Sequence, residues 1–172
     1  MCIRDRDTPE ESGGDVQRVF VAGATGRVGK RVVARLLARG ITPVALARDP
    51  DAARAALGPE VEVRRGDVRD PASLAAHGAD AAVFALGSRT FYGGNGIHAV
   101  DAIGTAALAA ATARDGVRQI VLVSAFGLDR TSVFLRLFDR ALNGYFAGKI
   151  AAEAAVRESG VRWTILRPVE FT

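Results

Sequence analysis

A glycine-rich turn is the part of the chain whose residue types and spacing point most directly to chemistry. Gly23, Gly26 and Gly29 follow an apolar run at residues 18–22 and precede a segment with helical periodicity. A diphosphate can approach such a turn where no side chain intervenes, and the amide hydrogens and dipole of the helix start attract it. We therefore expect a dinucleotide site here, with a purely structural turn as the alternative. The residues expected to hold the diphosphate are Gly23, Thr25, Gly26, Arg27, Val28 and Gly29.

A nucleoside triphosphate loop is the closest rival interpretation of the same glycines. That loop requires the pattern G-x-x-x-x-G-K-[ST], in which the hydroxyl binds Mg²⁺. Gly29 and Lys30 match its second half, but Ala24 stands where the first glycine belongs. Arg31 stands in place of the hydroxyl residue and cannot bind the metal ion. The rival fails at both positions.

The residue after the second predicted strand indicates which dinucleotide is bound. NAD usually calls for an acidic residue there, which bonds the ribose hydroxyls. This chain has Arg48, whose planar guanidinium suits a 2′-phosphate, and Arg27 could close on the same phosphate. Asp49 could still reach a ribose, which keeps NAD(H) open. NADP(H) is the expected cofactor and NAD(H) the less favoured one.

The elements around this turn alternate between strand and helix along the chain. The predicted strands are residues 18–22, 42–47, 61–63, 81–85, 119–123 and 163–166. The predicted helices are residues 27–39, 50–57, 72–77, 97–114 and 133–159, the last with a break near 143–144. Such alternation requires parallel strands with helices on both faces. The expected fold is α/β, a Rossmann-type doubly wound parallel sheet of order 3-2-1-4-5-6, with ligands at the carboxyl ends of the strands.

Length and charge place the chain in one domain and argue against a nucleic-acid partner. The 172 residues fit a single domain at residues 16–172, preceded by a disordered leader at residues 1–15 that is either native or a non-native addition. The net charge is +4, but arginines alternate with acidic residues instead of forming basic blocks. We therefore expect no nucleic-acid binding.

Composition also argues against metal, disulfide and membrane chemistry. Cys2 is the one cysteine, so no internal disulfide can form, and neither His77 nor His98 has a second ligand at metal-binding spacing. No segment approaches the ~20 apolar residues that cross a bilayer, and the first residues lack a secretory h-region. The expected location is the cytoplasm, with no metal and no membrane partner.

Several motifs together resemble those of a known family. They are the glycine turn, Arg48-Asp49-Pro50, Gly66-Asp67-Val68, Val100-Asp101-x-x-Gly104, and the segment 158–168 that ends in Arg167-Pro168. In this order and spacing the chain resembles the atypical short-chain dehydrogenase/reductases, in particular the NmrA-like, NAD(P)H-binding branch. The resemblance runs from about Arg18 to Thr172. It implies that Asp67 and Val68 flank the adenine, that Ala85, Leu86 and Gly87 line the nicotinamide-side ribose, and that Pro168 borders the nicotinamide.

The resemblance also implies a catalytic set of Ser124, Tyr145 and Lys149. In the superfamily's reductases the tyrosine donates a proton to the carbonyl, the lysine lowers the tyrosine pKa and bonds the nicotinamide ribose, and the serine polarises the carbonyl. Tyr145 and Lys149 are four residues apart and therefore share a helix face. The alternative is that Tyr145 only packs and that Ser124 merely caps its strand.

These observations favour an NADP-dependent oxidoreductase that reduces a small carbonyl-type substrate of unknown identity. A non-catalytic NADP(H)-binding redox sensor acting through a protein partner is the alternative. A sugar-nucleotide epimerase is less favoured, because it needs a longer C-terminal region. The resemblance implies a substrate-binding part beyond Thr172, so we expect the C-terminal substrate region to be truncated. The apolar stretch at residues 134–142 is either helix core, a pocket wall or a dimer face, so a homo-oligomer is possible.

Overall fold

A seven-stranded sheet forms the centre of the protein. The structure is a computed structural model that describes residues 2–4, 15–87, 98–126, 128 and 145–168. The strands are β1 (Cys2–Arg4), β2 (Arg18–Ala22), β3 (Thr42–Ala47), β4 (Glu62–Arg65), β5 (Ala81–Phe84), β6 (Gln119–Val123) and β7 (Arg162–Leu166). Their spatial order is β1-β7-β6-β5-β2-β3-β4.

Helices connect these strands within the described ranges. The α-helices are α1 (Arg27–Leu37), α2 (Pro50–Leu57), α3 (Thr105–Arg114) and α4 (Tyr145–Glu158). A 3₁₀ turn covers Pro71–Ser73, and a π-helix covers His98–Gly104 immediately before α3. Among the described helices, none is long and apolar enough to cross a membrane.

The sheet confirms the predicted fold class. Strands β2 to β7 pair in parallel, and counted from β2 their order is 3-2-1-4-5-6, the doubly wound arrangement. The addition is β1, which pairs antiparallel with β7. The expected disordered leader is therefore wrong at residues 2–4, because the edge of β7 offers unpaired backbone groups and Ile3 packs on the core. Residues 5–14 lie outside the described residues.

Two layers of helices cover the sheet because successive strand residues point to opposite faces. Phe20 faces the layer of α3 and α4 and packs in one cluster with Leu108 and Val156. Its neighbour Val21 faces the layer of α1 and α2 and packs with Val33 and Ala53. The central strands β2 and β3 therefore have apolar side chains on both faces, which explains their continuous apolar runs in the sequence.

Two predicted helices differ from the observed ones. The helix expected at 72–77 is reduced to the 3₁₀ turn at Pro71–Ser73, because Leu74 is extended and His77 has a positive φ of 50°. The helix expected at 97–114 begins as the π-helix, whose wider turns place Val100 at a cavity and bury Asp101. Of the helix expected at 133–159, the described part is α4, and the predicted break near 143–144 lies outside the described residues.

Candidate functional site

The turn between β2 and α1 depends on two glycines for its shape. Gly23 has a φ of +79°, and a Cβ there would lie 2.4 Å from the carbonyl oxygen of Ala85. A Cβ on Gly29 would lie 2.1 Å from the carbonyl oxygen of Gly23. The end of β5, the turn and the first turn of α1 therefore pack backbone against backbone, which only glycine permits.

The start of α1 is built to accept an anion. The amide of Gly26 donates to the carbonyl oxygen of Gly23 at 3.0 Å and closes the turn. No side chain caps the helix at Gly26, and its first turn contains no acidic residue. Within this described segment, the first helical amides and the helix dipole therefore face the cavity side without an anionic side chain of their own.

A cavity of about 600 Å³ extends from this turn along the carboxyl ends of β3, β4 and β5. This volume is in the range of small-molecule sites. It brings together most of the predicted cofactor residues, while Arg27, Val28 and Gly29 form the adjoining first turn of α1. The predicted residues in its lining are Gly23, Thr25, Gly26, Arg48, Asp67, Val68, Ala85, Leu86 and Gly87.

One end of the cavity carries Asp67 between two arginines. Arg69 donates from Nε to Asp67 Oδ1 at 2.9 Å and also pairs through Nη2 with Oδ2. These hydrogen bonds lower the pKa of the Asp67 carboxyl against the opposing effect of burial, and the charge of Arg48 lowers it further. Sequence reasoning missed Arg69, which lines the cavity. Its position two residues after Asp67, at the same edge of the sheet, is the signal that could have found it.

Asp49 has a role that the sequence left open. Its Oδ1 accepts from the amides of Asp51 at 3.1 Å and Ala52 at 3.0 Å, which caps the start of α2. Pro50 follows at the first helical position, where the missing amide hydrogen matters least. Asp49 lines the cavity, but its carboxylate serves the helix, which weakens the case for a ribose contact.

Lys149 is not among the residues that line the cavity, but it makes a buried contact with one that is. Its Nζ donates to Asp101 Oδ1 at 2.6 Å and to the carbonyl oxygen of Leu86 at 3.1 Å. Leu86 itself lines the cavity. The structure therefore places Lys149 next to the segment predicted to line the nicotinamide-side ribose.

Tyr145 differs from the expectation that Lys149 lowers its pKa. Burial, and then the negative charge of Asp101, raise the pKa of the Tyr145 phenol. The charge of Lys149 is compensated by Asp101, so desolvation dominates. The ring of Tyr145 packs edge to face on Phe146, with centroids 5.3 Å apart. At neutral pH the phenol is therefore protonated.

Ser124 follows β6, as predicted, but its surroundings are those of a buried network. Its amide donates to the carbonyl oxygen of Leu166 at 2.8 Å. Its Oγ is buried and makes no hydrogen bond of ordinary geometry with the described residues. The Oγ lies near enough to Glu153 to help lower the pKa of that carboxyl. Within the described part of the chain, Ser124 is thus not hydrogen-bonded to Tyr145 or Lys149.

Glu153 and Arg167 form a buried ion pair that sequence reasoning missed. Arg167 donates to both carboxylate oxygens of Glu153, at 2.8 Å from Nε and 2.6 Å from Nη2. Burial alone would raise the pKa of Glu153, but the hydrogen bonds from Arg167, helped by the nearby Ser124 hydroxyl, outweigh it and lower the pKa. Arg167 directly precedes Pro168, so the Glu153–Arg167 pair fixes the backbone immediately before Pro168. Pro168 lies outside the residues that line the described cavity.

The histidines do not form a metal site in the described residues. His77 lies in the turn before β5, at the amino end of that strand, and the side chain of His98 is outside the described part. No group of three or more potential ligands comes together among the described residues.

Comparison with known proteins gives the family. A family described as NAD(P)H-binding matches residues 23–172, which includes the glycine turn, the cavity and α4. The chain belongs to this NAD(P)H-binding family, a branch of the atypical short-chain dehydrogenase/reductases. The motifs that carried the resemblance in the sequence therefore reflect membership of this family.

Individual members of the NAD(P)H-binding family and related folds show the extent of the likeness. An uncharacterised chloroplastic protein of Arabidopsis thaliana is 35% identical over 173 residues, covering 92% of this chain and 60% of its own length. The divinyl chlorophyllide a 8-vinyl-reductase of Zea mays is 36% identical over 170 residues, which cover 89% of this chain and 40% of that protein. The structure of Citrobacter sp. triphenylmethane reductase complexed with NADP(H) superposes with a TM-score of 0.68 at 22% identity. The superposition covers 90% of this chain and 50% of that one. The chain thus spans less than two thirds of these relatives.

Proposed function

We propose that this chain is the nucleotide-binding part of an NADP(H)-dependent reductase of a small carbonyl-type substrate. The observation that carries the proposal is one cavity lined by the glycine turn, by Arg48 and Arg69, and by Leu86, whose carbonyl accepts from Lys149. The Zea mays relative named above is a reductase, and the Citrobacter neighbour is complexed with NADP(H). The first fact supports a reductase reaction, and the second supports NADP(H) as the cofactor.

The geometry of the cavity supports the binding of a dinucleotide. The backbone cradle at Gly23 and Gly29 is one that a Cβ would fill, and the uncapped start of α1 suits a diphosphate. Arg48 would hold the 2′-phosphate, Asp67 would face the adenine, and Lys149 would bond the nicotinamide ribose. When bound, the reduced nicotinamide supplies a hydride to the substrate carbonyl carbon.

The proton for the carbonyl oxygen comes, in this proposal, from the phenol of Tyr145. The raised pKa keeps Tyr145 protonated, so its Oη can act as the donor without prior proton uptake. Ser124 is proposed to polarise the same carbonyl from the end of β6. Because Asp101 compensates Lys149, the tyrosine is a weaker acid here than a lysine-activated phenol would be.

Replacing Arg48 by serine is expected to weaken NADPH binding roughly 10- to 150-fold and to leave NADH affinity within about twofold. The reason is that one charge-assisted hydrogen bond contributes about 1.5–3 kcal/mol. Isothermal titration with both nucleotides measures the difference. Arg54→Ser is the matched control, because Arg54 is an exposed arginine of α2 whose Nη1 pairs with Asp51 at 2.9 Å. An equal loss for NADH and NADPH would remove Arg48 from 2′-phosphate recognition.

Replacing Tyr145 by phenylalanine is expected to lower kcat by about 100-fold or more and to leave NADPH affinity unchanged. General acid catalysis typically contributes about 10²–10⁴-fold, and the substitution removes only the hydroxyl. The measurement is NADPH oxidation with a panel of small aldehydes, ketones and enones. Wild-type turnover in the variant would exclude Tyr145 as the acid.

A nucleotide-binding regulator is the second candidate, and one observation favours it. The cation that would activate Tyr145 is paired with Asp101, and the phenol pKa is raised instead of lowered. This candidate predicts different affinities for NADP⁺ and NADPH with no turnover of any panel member, since a ligand shifts only states that it binds unequally.

A further inference from the structure

The ion pair between Asp101 and Lys149 lies in the interior, on the layer formed by the π-helix and α4. Asp101 is 1% exposed and Lys149 is 6% exposed, and Nζ is 2.6 Å from Oδ1. Removing two charges from water is costly, and a buried pair persists only when its geometry compensates that cost. Because this buried pair lies beside the cavity, we expect it to affect ligand binding as well as stability.

The ammonium of Lys149 connects three segments that meet at one end of the cavity. Asp101 belongs to the π-helix, Lys149 to α4, and the second acceptor, the carbonyl oxygen of Leu86, follows β5. Leu86 and Val100, the neighbour of Asp101, both line the cavity. Ala85, one residue before Leu86, is the residue whose carbonyl approaches Gly23. A shift of the ammonium would therefore change the cavity wall directly.

The π-helix explains why Asp101 points inward. Residues 98–104 have the wider π geometry, and such turns occur frequently at functional sites. Within it Asp101 is buried, whereas Ile103 is 54% exposed. The carboxylate thus occupies the inner side of the turn, facing α4.

We propose that Asp101 is a positioning residue that holds the ammonium of Lys149 against the carbonyl of Leu86. This contact keeps Lys149 at the nicotinamide-ribose end of the cavity and keeps the backbone at Leu86 and Gly87 in a shape that admits the nucleotide. The inference rests on the proposed function for its consequence, but the contact itself is testable without nucleotide.

Amine labelling tests the contact, because Lys30 and Lys149 are the only lysines of the chain. Lys30 is exposed on α1 and serves as the internal control. The protein without nucleotide is treated with an acetyl N-hydroxysuccinimide ester, and peptide mass spectrometry measures the labelling rate at each lysine. In the wild type, Lys149 should react at least about tenfold more slowly than Lys30.

Asp101→Asn is expected to raise the labelling rate of Lys149 about tenfold while that of Lys30 stays unchanged. Asp101→Glu, which restores the charge, should keep the rate within about threefold of wild type. Asp51→Asn is the matched control, because it removes an exposed partner of Arg54 instead. Unchanged protection of Lys149 in folded Asp101→Asn would overturn the proposal.

A second measurement covers the case in which Asp101→Asn does not fold. Asp101→Leu and Lys149→Met each leave one buried charge without its partner, whereas the double variant removes both. The double variant should therefore have a higher Tm than either single variant. Additive losses of Tm would contradict a direct pair.

Nucleotide affinity distinguishes this proposal from the proposed function. Asp101→Asn should weaken NADPH and NADH equally, by roughly tenfold, because the ribose beside Lys149 is common to both. An NADPH-selective loss would overturn the positioning role. If wild-type protein shows the expected labelling but binds neither nucleotide, the proposed function fails and the Asp101–Lys149 contact stands.

Discussion

Replacing Gly23 by alanine is expected to abolish nucleotide binding, whereas the same replacement at Gly40 is expected to leave it intact. Both glycines have positive φ, +79° at Gly23 and +71° at Gly40, so both substitutions carry the backbone strain of about 1–2 kcal/mol. Only at Gly23 does the new Cβ also meet backbone, at 2.4 Å from the carbonyl oxygen of Ala85. At Gly40 the space around the Cβ is open.

The clash at Gly23 must be relieved by movement of the turn or of the β5 end, and both form the cavity wall. We expect the Gly23→Ala variant to lose about 3 kcal/mol of unfolding free energy and roughly 100-fold or more in NADPH affinity. The Gly40→Ala variant should lose about 1–2 kcal/mol with unchanged affinity. Urea denaturation and isothermal titration measure the two quantities. Equal affinities in the two variants would show that the cradle at Gly23 does not hold the nucleotide.

Replacing Arg167 by methionine is expected to cost about 3–5 kcal/mol of unfolding free energy, because it leaves the buried carboxylate of Glu153 without its bidentate partner. Arg157 still donates to Glu153 at 2.9 Å, but its side chain is 36% exposed and the contact is correspondingly screened. Arg54→Met is the matched control in an exposed ion pair, and it should cost about 0–1 kcal/mol. Similar losses of unfolding free energy in both variants would mean that burial of the Glu153–Arg167 pair does not increase its contribution to stability.

The pH dependence of that loss has a definite sign. The folded state lowers the pKa of Glu153 below its ordinary value of about 4.5, so its stabilisation is present above this value and is lost as pH falls through the folded-state pKa. Burial is already the largest single influence on the Glu153 pKa, so removing the opposing hydrogen bonds of Arg167 shifts that pKa upward. The gap between wild type and Arg167→Met should therefore be largest at about pH 7 and narrow toward about pH 4. Urea denaturation at both pH values measures it, and a gap independent of pH would exclude the charge of Glu153 as its origin.

Local patterns in the sequence were sufficient for the glycine turn, the alternation of strands and helices, and the order of the parallel strands. Gly23 and Gly29 are required by backbone geometry within a few residues, and the apolar runs of β2 and β3 follow from burial on both faces. Even the start of α2 was predictable, because Asp49 and Pro50 form a local helix start. Such features depend on residues that are close together in the chain, so composition and spacing are enough to predict them.

Which charges meet inside the protein was decided by the tertiary structure. Asp101 and Lys149 are 48 residues apart, and Glu153 reaches Arg167 only because α4 packs beside the end of β7. The same is true of β1, whose three residues form a strand only against β7. The electrostatic energy of a buried pair depends on the distance between the charges and on their desolvation. Neither quantity can be predicted from the spacing of residues along the chain. For this reason the sequence indicated a lysine that activates Tyr145, while the folded protein pairs that lysine with an aspartate and raises the tyrosine pKa.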